Sequence, residues 1–233
     1  MKKILILEDE PHISDFVAIN LQRAGYETVI AVTGEEAVAV LEAQTDIIVA
    51  LLDVGLPGEI DGFEVCRRIR KMGRVMGIII LTARAEEMDK VQGLMIGADD
   101  YITKPLESLS VLTARVDALV RRVLMAQPLP SVIDTPLLES GEFSIDTRSR
   151  TFCASGQPLD LTQVEYLIMK FLMENKNKAL SRGEILTAVW GSEYVGELKV
   201  VDVNVRRLRV KIEKDPANPE HLLTVWGYGY KWI

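Results

Sequence analysis

Strand-length apolar segments alternate with stretches of helical periodicity over the first 123 or so residues of the chain. The strand-like segments are residues 4–7, 26–31, 47–52, 78–81 and 100–103. Between them, apolar residues recur at every third or fourth position, as on the buried face of an amphipathic helix. Five successive strand–helix units predict a doubly wound parallel sheet with helices on both faces.

Capping and turn residues set the expected limits of the helices. The first helix, over residues 13–24, is expected to end at Gly25, because glycine is a common C-cap residue. The second is expected to begin with a capping box of Thr33 and Glu36. Further helices are expected near residues 62–71, 86–96 and 107–123.

Polar side chains follow four of the predicted strands. Glu8 and Asp9 follow the first strand, Asp53 the third, Thr82 the fourth and Lys104 the fifth. The carboxyl ends of strands are where open α/β sheets bind ligands. Three neighbouring carboxylates repel one another unless a cation lies among them, and Mg²⁺ prefers oxygen ligands that it shares with phosphate. The set predicts a magnesium site that receives a phosphate, with Lys104 and Thr82 contacting the phosphate oxygens. Taken singly, Asp53 could be a turn or cap residue, Lys104 a solvated lysine and Thr82 a helix N-cap.

The distribution of charge changes what the net charge of −7 implies. By itself this value argues against a nucleic-acid partner, because phosphate backbones select basic surfaces. However, residues 1–124 hold 20 of the 34 acidic and 14 of the 27 basic side chains, whereas residues 199–214 hold six basic and two acidic ones. One late helix is therefore locally basic.

The two cysteines and the N-terminal sequence suggest the compartment. Cys66 and Cys153 have no metal-ligand spacing and fit structural thiols in a reducing cytosol. The apolar run that begins at Ile4 is too short for a signal peptide or a membrane span. We expect a cytoplasmic protein with no membrane partner.

A second domain is expected after a proline-containing linker. Residues 124–137 contain Pro128, Pro130 and Pro136 and have no periodicity, which predicts a linker between a domain at 1–123 and one at 138–233. Two or three strands, about 138–145 and 150–154, are expected to precede three helices and a C-terminal hairpin. Capping boxes are expected at two helix starts, Thr162 with Glu165 and Ser181 with Glu184.

The third of these helices is the candidate for nucleic-acid recognition. Its expected core stripe is Val201, Val205, Leu208 and Ile212. This stripe would place other residues on the far side and Arg209 on a flank; the far-side residues are Lys199, Val203, Arg206, Arg207 and Lys214. Two preceding helices and a following hairpin predict a winged helix-turn-helix, an α+β fold that presents its third helix to the major groove. The alternative is a solvated basic surface.

The motifs of the first half resemble the receiver domain of bacterial response regulators, which has a flavodoxin-like fold. They are Leu7-Glu8-Asp9-Glu10, Leu52-Asp53, Leu56-Pro57-Gly58, Leu81-Thr82-Ala83-Arg84 and the segment from Gly97 to Pro105. The resemblance implies that Asp53 accepts a phosphoryl group from a sensor histidine kinase, and that Asp9, Asp53 and the Gly55 carbonyl hold Mg²⁺, with Glu8 bound through water. It also implies that Thr82 and Tyr101 form a switch pair and that the Lys104–Pro105 peptide is cis. The chain would modify itself, by Mg²⁺-dependent phosphorylation and slow dephosphorylation at Asp53, without being an enzyme in the ordinary sense.

The second half resembles the effector domain of the OmpR/PhoB subfamily. The matching segments are Leu161-Thr162, Glu165-Tyr166, Val189-Trp190-Gly191, Val201-Asp202-Val203, the run from Arg206 to Arg209, and the run from Gly227 to Tyr230. The resemblance implies that Val203, Asn204 and Arg207 face bases in promoter DNA, with Arg206 and Arg209 nearer phosphates. RNA polymerase is a further expected partner.

Three departures from the family pattern qualify these expectations. Most members have Arg where this chain has Trp226, so Lys231 is the remaining wing cation. The segments 58–62 and 106–112 are each one residue longer than is usual in the family. Val111 occupies the position of a Glu that in the family pairs, across the receiver dimer, with the residue corresponding to Lys90. The remaining family pairs, Asp99 with Arg122 and Asp100 with Arg115, predict a two-fold dimer through the helices near 86–96 and 107–123.

Three other functions compete with this interpretation. A flavodoxin-like cofactor protein would need a first loop suited to FMN phosphate, which Glu8, Asp9 and Glu10 would repel. A haloacid-type phosphatase would need a second Asp where Gly55 stands. The third alternative is a DNA-binding regulator that keeps the receiver fold but acts independently of phosphorylation.

Overall fold

The computed structural model describes residues 2–83, 95–106, 108–125, 137–192, 194 and 196–233. The chain forms two compact units that divide between Val123 and Leu124. The predicted helix near 86–96 lies almost entirely outside the described residues, and so does most of the predicted linker. In the described part of the chain, no helix combines the length and the apolar character needed to cross a membrane.

The first unit is a parallel sheet flanked by helices. Its elements are β1 (Lys2–Leu7), α1 (Pro11–Arg23), β2 (Tyr26–Ala31), α2 (Gly34–Ala43), β3 (Ile47–Asp53), α3 (Gly62–Lys71), β4 (Gly77–Thr82), β5 (Asp100–Thr103) and α4 (Leu109–Met125). The five strands are parallel in the order β2-β1-β3-β4-β5. The predicted flavodoxin-like fold is confirmed. The chain order reverses beside β1, so β1 and β3 are neighbours with a crevice at their carboxyl ends.

The central strands are buried on both faces, as their unbroken apolar sequences require. Residues 47 and 49–53 of β3 and the whole of β4 are buried. Helix α1 ends as predicted, with Gly25 at φ +89° beyond its last turn. The second helix departs from the predicted capping box: Thr33 accepts from the Glu36 amide, but the Glu36 carboxylate accepts from the amide of Val32.

The second unit is an antiparallel meander followed by a winged helix. Its elements are β6 (Leu137–Ser140), β7 (Phe143–Asp146), β8 (Thr151–Ala154), β9 (Gln157–Leu159), α5 (Gln163–Glu174), β10 (Ala179–Ser181), α6 (Arg182–Trp190), α7 (Lys199–Ile212), β11 (Leu222–Val225) and β12 (Gly229–Trp232). Both predicted capping boxes, at Thr162 and Ser181, are present. The hairpin β11–β12 is extended by β10, which pairs with β12.

The meander contains four strands where two or three were expected. Residues 138–145 do not form one strand, because the chain turns at Gly141, whose φ is +61°. A second tight turn at Ser155 and Gly156, both with positive φ, adds β9. Consecutive positive φ values suit a two-residue hairpin loop, since this backbone twist matches that of the flanking strands.

Candidate functional site

The polar residues predicted at the strand ends meet in one crevice of the first unit. Glu8 and Asp53 are buried, whereas Asp9 is exposed. Each of these three carboxylates offers an oxygen that lies within 4.8 Å of the others. Helix α3 begins close behind β3 because Gly62 has no side chain: a Cβ there would overlap the Asp53 carbonyl oxygen.

Lys104 neutralises this acidic crevice from the end of β5. Its Nζ lies 2.6 Å from Asp53 Oδ2 and 2.7 Å from Glu8 Oε2, and the amide of Gly55 donates to Asp53 Oδ1 at 2.9 Å. Burial alone would lower the pKa of Lys104, but Asp53 and Glu8 outweigh it and raise that pKa above its ordinary value. Burial raises the pKa of Glu8, which Lys104 opposes and Asp53 reinforces. The Asp53 side chain is thus held by two donors, with its charge partly balanced.

The donor set of the crevice fits a hard divalent cation. All three acidic side chains offer oxygen, the ligand type that Mg²⁺ prefers. Glu8 Oε1 is buried and accepts no hydrogen bond from the described residues, so it is available to a cation or to one of its waters. Asp9 faces solvent, through which an ion would enter.

Thr82 and Tyr101 stand at the ends of adjacent strands. Thr82 is fully buried at the end of β4, and its carbonyl accepts from the Lys104 amide at 2.7 Å. Tyr101 in β5 is 5% exposed, so its ring is turned inward. The Lys104–Pro105 peptide is cis, as the resemblance implied.

The residues expected at a dimer interface are engaged within one chain. Asp99 accepts from Arg70 Nη2 at 2.7 Å and from the Ile78 amide at 2.8 Å. Asp100 pairs with Arg115 of the same chain at 3.1 Å. Arg122 is 5% exposed and donates to the Ala118 carbonyl, and Lys90 lies outside the described residues.

The recognition helix candidate, α7, buries the predicted stripe and more. Val201, Val205, Leu208 and Ile212 are buried as predicted. The placement of Val203 and Arg207 on the exposed side is wrong, because they are 5% and 6% exposed. Asn204, which the resemblance implied would face bases, is 0% exposed.

Packing within the unit explains two of these corrections. Asn204 lies four residues from both Val200 and Leu208, which are fully buried, and donates to the Val200 carbonyl at 2.8 Å. Arg207 lies one turn further and reaches Glu165 Oε1 of α5 at 2.8 Å. The base-facing role expected for these side chains is not available in this conformation.

Arg209, which the resemblance placed near phosphates, is half-buried and bonds the hairpin. Its guanidinium donates twice to the Leu222 carbonyl, at 2.9 and 2.6 Å, and once to Thr224 Oγ1. It also lies over the Tyr230 ring, 5.6 Å from the centroid. Arg209 therefore joins α7 to the hairpin.

Among the cations predicted to contact DNA, the accessible ones form a smaller set than the sequence suggested. Arg206 and Lys214 are exposed, and Lys199 at the start of α7 and Lys231 in β12 are half-exposed. Lys211 is also exposed, but its Nζ contacts Glu165 Oε2 and the Asp160 carbonyl, both at 2.7 Å.

Sequence reasoning missed Glu165 as the anchor of this cluster. It recognised Glu165 only as the third residue of a capping box, and the structure adds two cationic partners more than 40 positions away in the chain. Burial raises the pKa of Glu165, but Arg207 and Lys211 outweigh it and hold that pKa below its ordinary value. The signal in the sequence was a helix rich in arginine, which does not reveal which arginine turns inward.

Comparisons with known proteins agree with both halves of the structure. Residues 4–117 match the response regulator receiver domain, and residues 156–232 match the family described as transcriptional regulatory protein, C terminal. The sensory transduction protein RegX3 of Mycolicibacterium smegmatis is 42% identical over 231 residues, which cover 99% of each chain. RegX3 of Mycobacterium tuberculosis is 42% identical over 232 residues, with the same coverage.

Several solved structures cover the full length of this chain. A mutant of RitR has 26% identity and a TM-score of 0.76, and DrrB of Thermotoga maritima, described as an OmpR/PhoB homologue, has 32% identity and a TM-score of 0.50. In both comparisons the match covers 100% of this chain and 99% of the solved chain. The chain therefore belongs to the OmpR/PhoB family of two-component response regulators, phosphorylation-dependent transcription regulators that join a receiver domain to a DNA-binding domain.

Proposed function

We propose that Asp53 is the phosphoacceptor of this regulator and that a sensor histidine kinase is its donor. A carboxylate oxygen of Asp53 would attack the phosphorus of a phosphohistidine, forming an O–P bond as the N–P bond to the kinase breaks. The observation that supports this most directly is the proximity of Asp53 to two other carboxylates within 4.8 Å and to the Lys104 ammonium at 2.6 Å. Positioning and charge neutralisation carry most of phosphoryl transfer.

Mg²⁺ is the proposed cofactor of this step. Asp9, Asp53 and the Gly55 carbonyl would hold it, with Glu8 bound through water. When bound, the ion neutralises the phosphate oxygens that a negative nucleophile must approach. Lys104 would then exchange its bond to Asp53 for one to a phosphoryl oxygen, and Thr82 would donate its hydroxyl to another. The same groups would support slow hydrolysis of the phosphorylated Asp53.

Thr82 and Tyr101 are the proposed switch residues. Movement of the Thr82 hydroxyl toward a phosphoryl group would empty space beside β5, into which the Tyr101 ring could move further. Such a switch biases a two-state element at the surface of the receiver.

We propose that the switch controls homodimerisation through the helix near 86–96 and α4. The Asp100–Arg115 pair could exchange across a two-fold axis without loss of an ion pair. Asp99, by contrast, is held by Arg70, so a pair with Arg122 of a second chain would require that bond to open.

The proposed output is promoter binding by the second unit. Arg206, Lys199 and Lys231 are accessible cations on α7 and the hairpin and are the proposed phosphate or base contacts. RNA polymerase is the proposed downstream partner.

The proposed division of the chain is a receiver at 1–123, a linker at 124–137 and an effector domain at 138–233. The free thiols of Cys66 and Cys153 fit the cytoplasm as the proposed location.

Phosphorylation is tested with acetyl phosphate and Mg²⁺, followed by intact mass. The wild-type chain is expected to gain the mass of one phosphoryl group, and Asp53→Asn to gain none. Asp15→Asn, which removes an exposed acid of α1, is the matched control and is expected to behave as the wild type. EDTA should abolish the adduct.

The two regulatory hypotheses separate in a DNA-binding measurement on the same samples. A phosphorylation-dependent regulator is expected to bind its selected duplex more tightly after treatment, and Asp53→Asn to show no change. Absence of an adduct, together with unchanged duplex affinity, would instead support the phosphorylation-independent alternative.

A further inference from the structure

The strand that leads to Lys104 is short and lies at one edge of the receiver sheet. β5 has four residues, whereas β1 to β4 have six or seven, and within the sheet it pairs with β4 alone. A shift of one residue in strand pairing turns every side chain to the opposite face. The register of β5 on β4 must therefore be fixed if Lys104 is to reach Asp53 and Glu8.

The guanidinium of Arg70 ties the starts of these two strands together. Arg70 lies in the last turn of α3, and its Nη1 donates to the carbonyl of Met76, just before β4, at 2.8 Å. Its Nε and Nη2 reach the approach to β5, where they donate to the Gly97 carbonyl at 2.9 Å and to Asp99 Oδ2 at 2.7 Å. Because a guanidinium is planar and rigid, these three bonds fix the acceptors relative to one another.

Asp99 adds a second tie between the same two strands. Its Oδ2 accepts from the Ile78 amide at 2.8 Å, and its own amide donates to the Ile78 carbonyl at 2.8 Å. Asp99 is 1% exposed, so solvent screens its ion pair with Arg70 only weakly. Gly97 leaves room for the arginine, since a Cβ there would lie 2.9 Å from Arg70 Cγ. The turn into β5 is thus built around the Arg70 side chain.

The other end of the same strand pair lies at the crevice. Thr82 pairs with Thr103, and the Lys104 amide donates to the Thr82 carbonyl at 2.7 Å. Asp99 and Lys104 are five residues apart, which is roughly 16 Å at the rise of a strand. An extended backbone stretches very little, so an axial shift at Asp99 would move Lys104 by a similar distance.

We propose that Arg70 is a positioning residue for phosphorylation, because it fixes the register of β5 and thereby the place of the Lys104 ammonium. This inference rests on the proposed roles of Asp53 and Lys104 in phosphoryl transfer. A displacement of 1 Å caused from outside a reacting site can lower a rate by about 100-fold. Glu8 and Asp9 follow β1, and Asp53 ends β3, so the metal-binding carboxylates do not depend on the register of β5.

The test measures phosphorylation of the full-length Arg70→Lys variant by acetyl phosphate and Mg²⁺, followed by intact mass. Lysine keeps the positive charge, but one ammonium cannot span three acceptors. The maximal rate is expected to fall on the order of tenfold. Calorimetry should show Mg²⁺ binding no weaker than in the wild type, because the metal-binding carboxylates stay in place.

Arg67→Lys is the matched control. It makes the same substitution in the same helix, but it alters only a part-exposed pair with Glu64. We expect wild-type behaviour in every measurement. Arg70→Lys is itself expected to fold, because Arg115 of α4 still donates to Asp100 Oδ1 and to the Tyr101 carbonyl. Far-UV circular dichroism and the urea midpoint verify this.

Two measurements report the position of β5 without any phosphoryl donor. The amides of β5 and of Lys104 should exchange with solvent faster in Arg70→Lys, whereas those of β1 to β3 should exchange as in the wild type. In protein labelled with ¹⁵N-lysine, the ammonium signal of Lys104, assigned by its loss in Lys104→Met, should shift in Arg70→Lys.

An unchanged phosphorylation rate in Arg70→Lys would overturn the proposal. Protection lost equally in all five strands would also overturn it, because Arg70 would then stabilise the fold without positioning Lys104. If the wild type gains no phosphoryl group, the assignment of Asp53 as phosphoacceptor fails instead. The placement of Lys104 by Arg70 would then stand on faster exchange confined to β5 with a shifted Lys104 signal, and fall without them.

Discussion

The buried carboxylate of Glu165 is predicted to stabilise the DNA-binding unit more than any surface ion pair on the same helix. Its side chain is 0% exposed and contacts Arg207 at 2.8 Å and Lys211 at 2.7 Å. It also accepts from the Thr162 amide at 2.8 Å, which completes the capping box. Glu165→Ala would leave the Arg207 guanidinium, itself 6% exposed, without its carboxylate.

The expected loss can be estimated from these contacts. Removal of one partner from a buried ion pair typically costs about 3–5 kcal/mol. The Thr162 amide also loses its acceptor, for about 1 kcal/mol more. Because whole domains are stable by only about 5–15 kcal/mol, we expect Glu165→Ala to lose a large part of the stability of this unit.

Tryptophan fluorescence in urea measures this loss in the intact chain. All three tryptophans lie after residue 137, so the signal follows the unfolding of the second unit. Glu174→Ala is the matched control, since it makes the same substitution in the same helix but removes only the part-exposed pair with Lys170. We expect that control to change the free energy of unfolding by under about 0.5 kcal/mol.

The pH dependence gives a second check with a definite sign. Burial raises the pKa of Glu165, but Arg207 and Lys211 overcome it and lower the folded-state pKa below the unfolded value of 4.5. The stabilisation is therefore complete above this unfolded value and is lost as pH falls through the folded-state pKa. The difference between wild type and Glu165→Ala should shrink in acid. A loss no larger than that of Glu174→Ala at pH 7 would refute the reasoning.

Three further predictions follow from the same structure. Lys104→Met removes the ammonium that competes with a cation for the crevice carboxylates, so calorimetry should show tighter Mg²⁺ binding. The same variant should gain a phosphoryl group from acetyl phosphate roughly 100-fold more slowly, as followed by intact mass. An unchanged rate would contradict this prediction. Arg206→Ala should lower the salt slope of duplex binding by about one and leave the urea midpoint of unfolding unchanged. Arg209→Ala loses three hydrogen bonds to the hairpin and should lower that midpoint. The reverse pattern would show that the roles of the two arginines are exchanged. Gly229→Ala should destabilise the second unit by about 1–3 kcal/mol in urea, because a Cβ would overlap the Leu180 carbonyl oxygen. Gly183→Ala should not, because its Cβ would make only an ordinary contact, 3.9 Å from Ser181 Oγ.

The order of elements in the receiver was predictable because each signal is local. The apolar segment at 47–52 has to be buried on both faces, and Gly25 marks the end of a helix wherever that helix packs. The convergence of Glu8, Asp53 and Lys104 also followed, because parallel strands present their carboxyl ends at the same edge of a sheet.

The assignment of individual arginines was not predictable in the same way. An arginine near the boundary of a helix's apolar stripe turns inward only if a hydrogen-bond acceptor, such as a buried carboxylate, lies within its reach. Glu165 supplies one for Arg207 from a helix more than 40 positions earlier, and Asp99 receives Arg70 from 29 positions away. Trp226 shows the converse, since a residue type that is usually buried stands almost fully exposed at a tip.

The sequence by itself determined the two domain classes, the strand that each functional side chain of the receiver follows, and the acidic crevice. It could do so because periodicity and capping act over a few residues. Only the tertiary structure decided which cations of α7 remain free for DNA and which of the receiver's acids are already paired. Those outcomes depend on the distance between side chains that are remote in the chain. Burying a charged side chain has a desolvation cost, which a partner of opposite charge at short distance offsets.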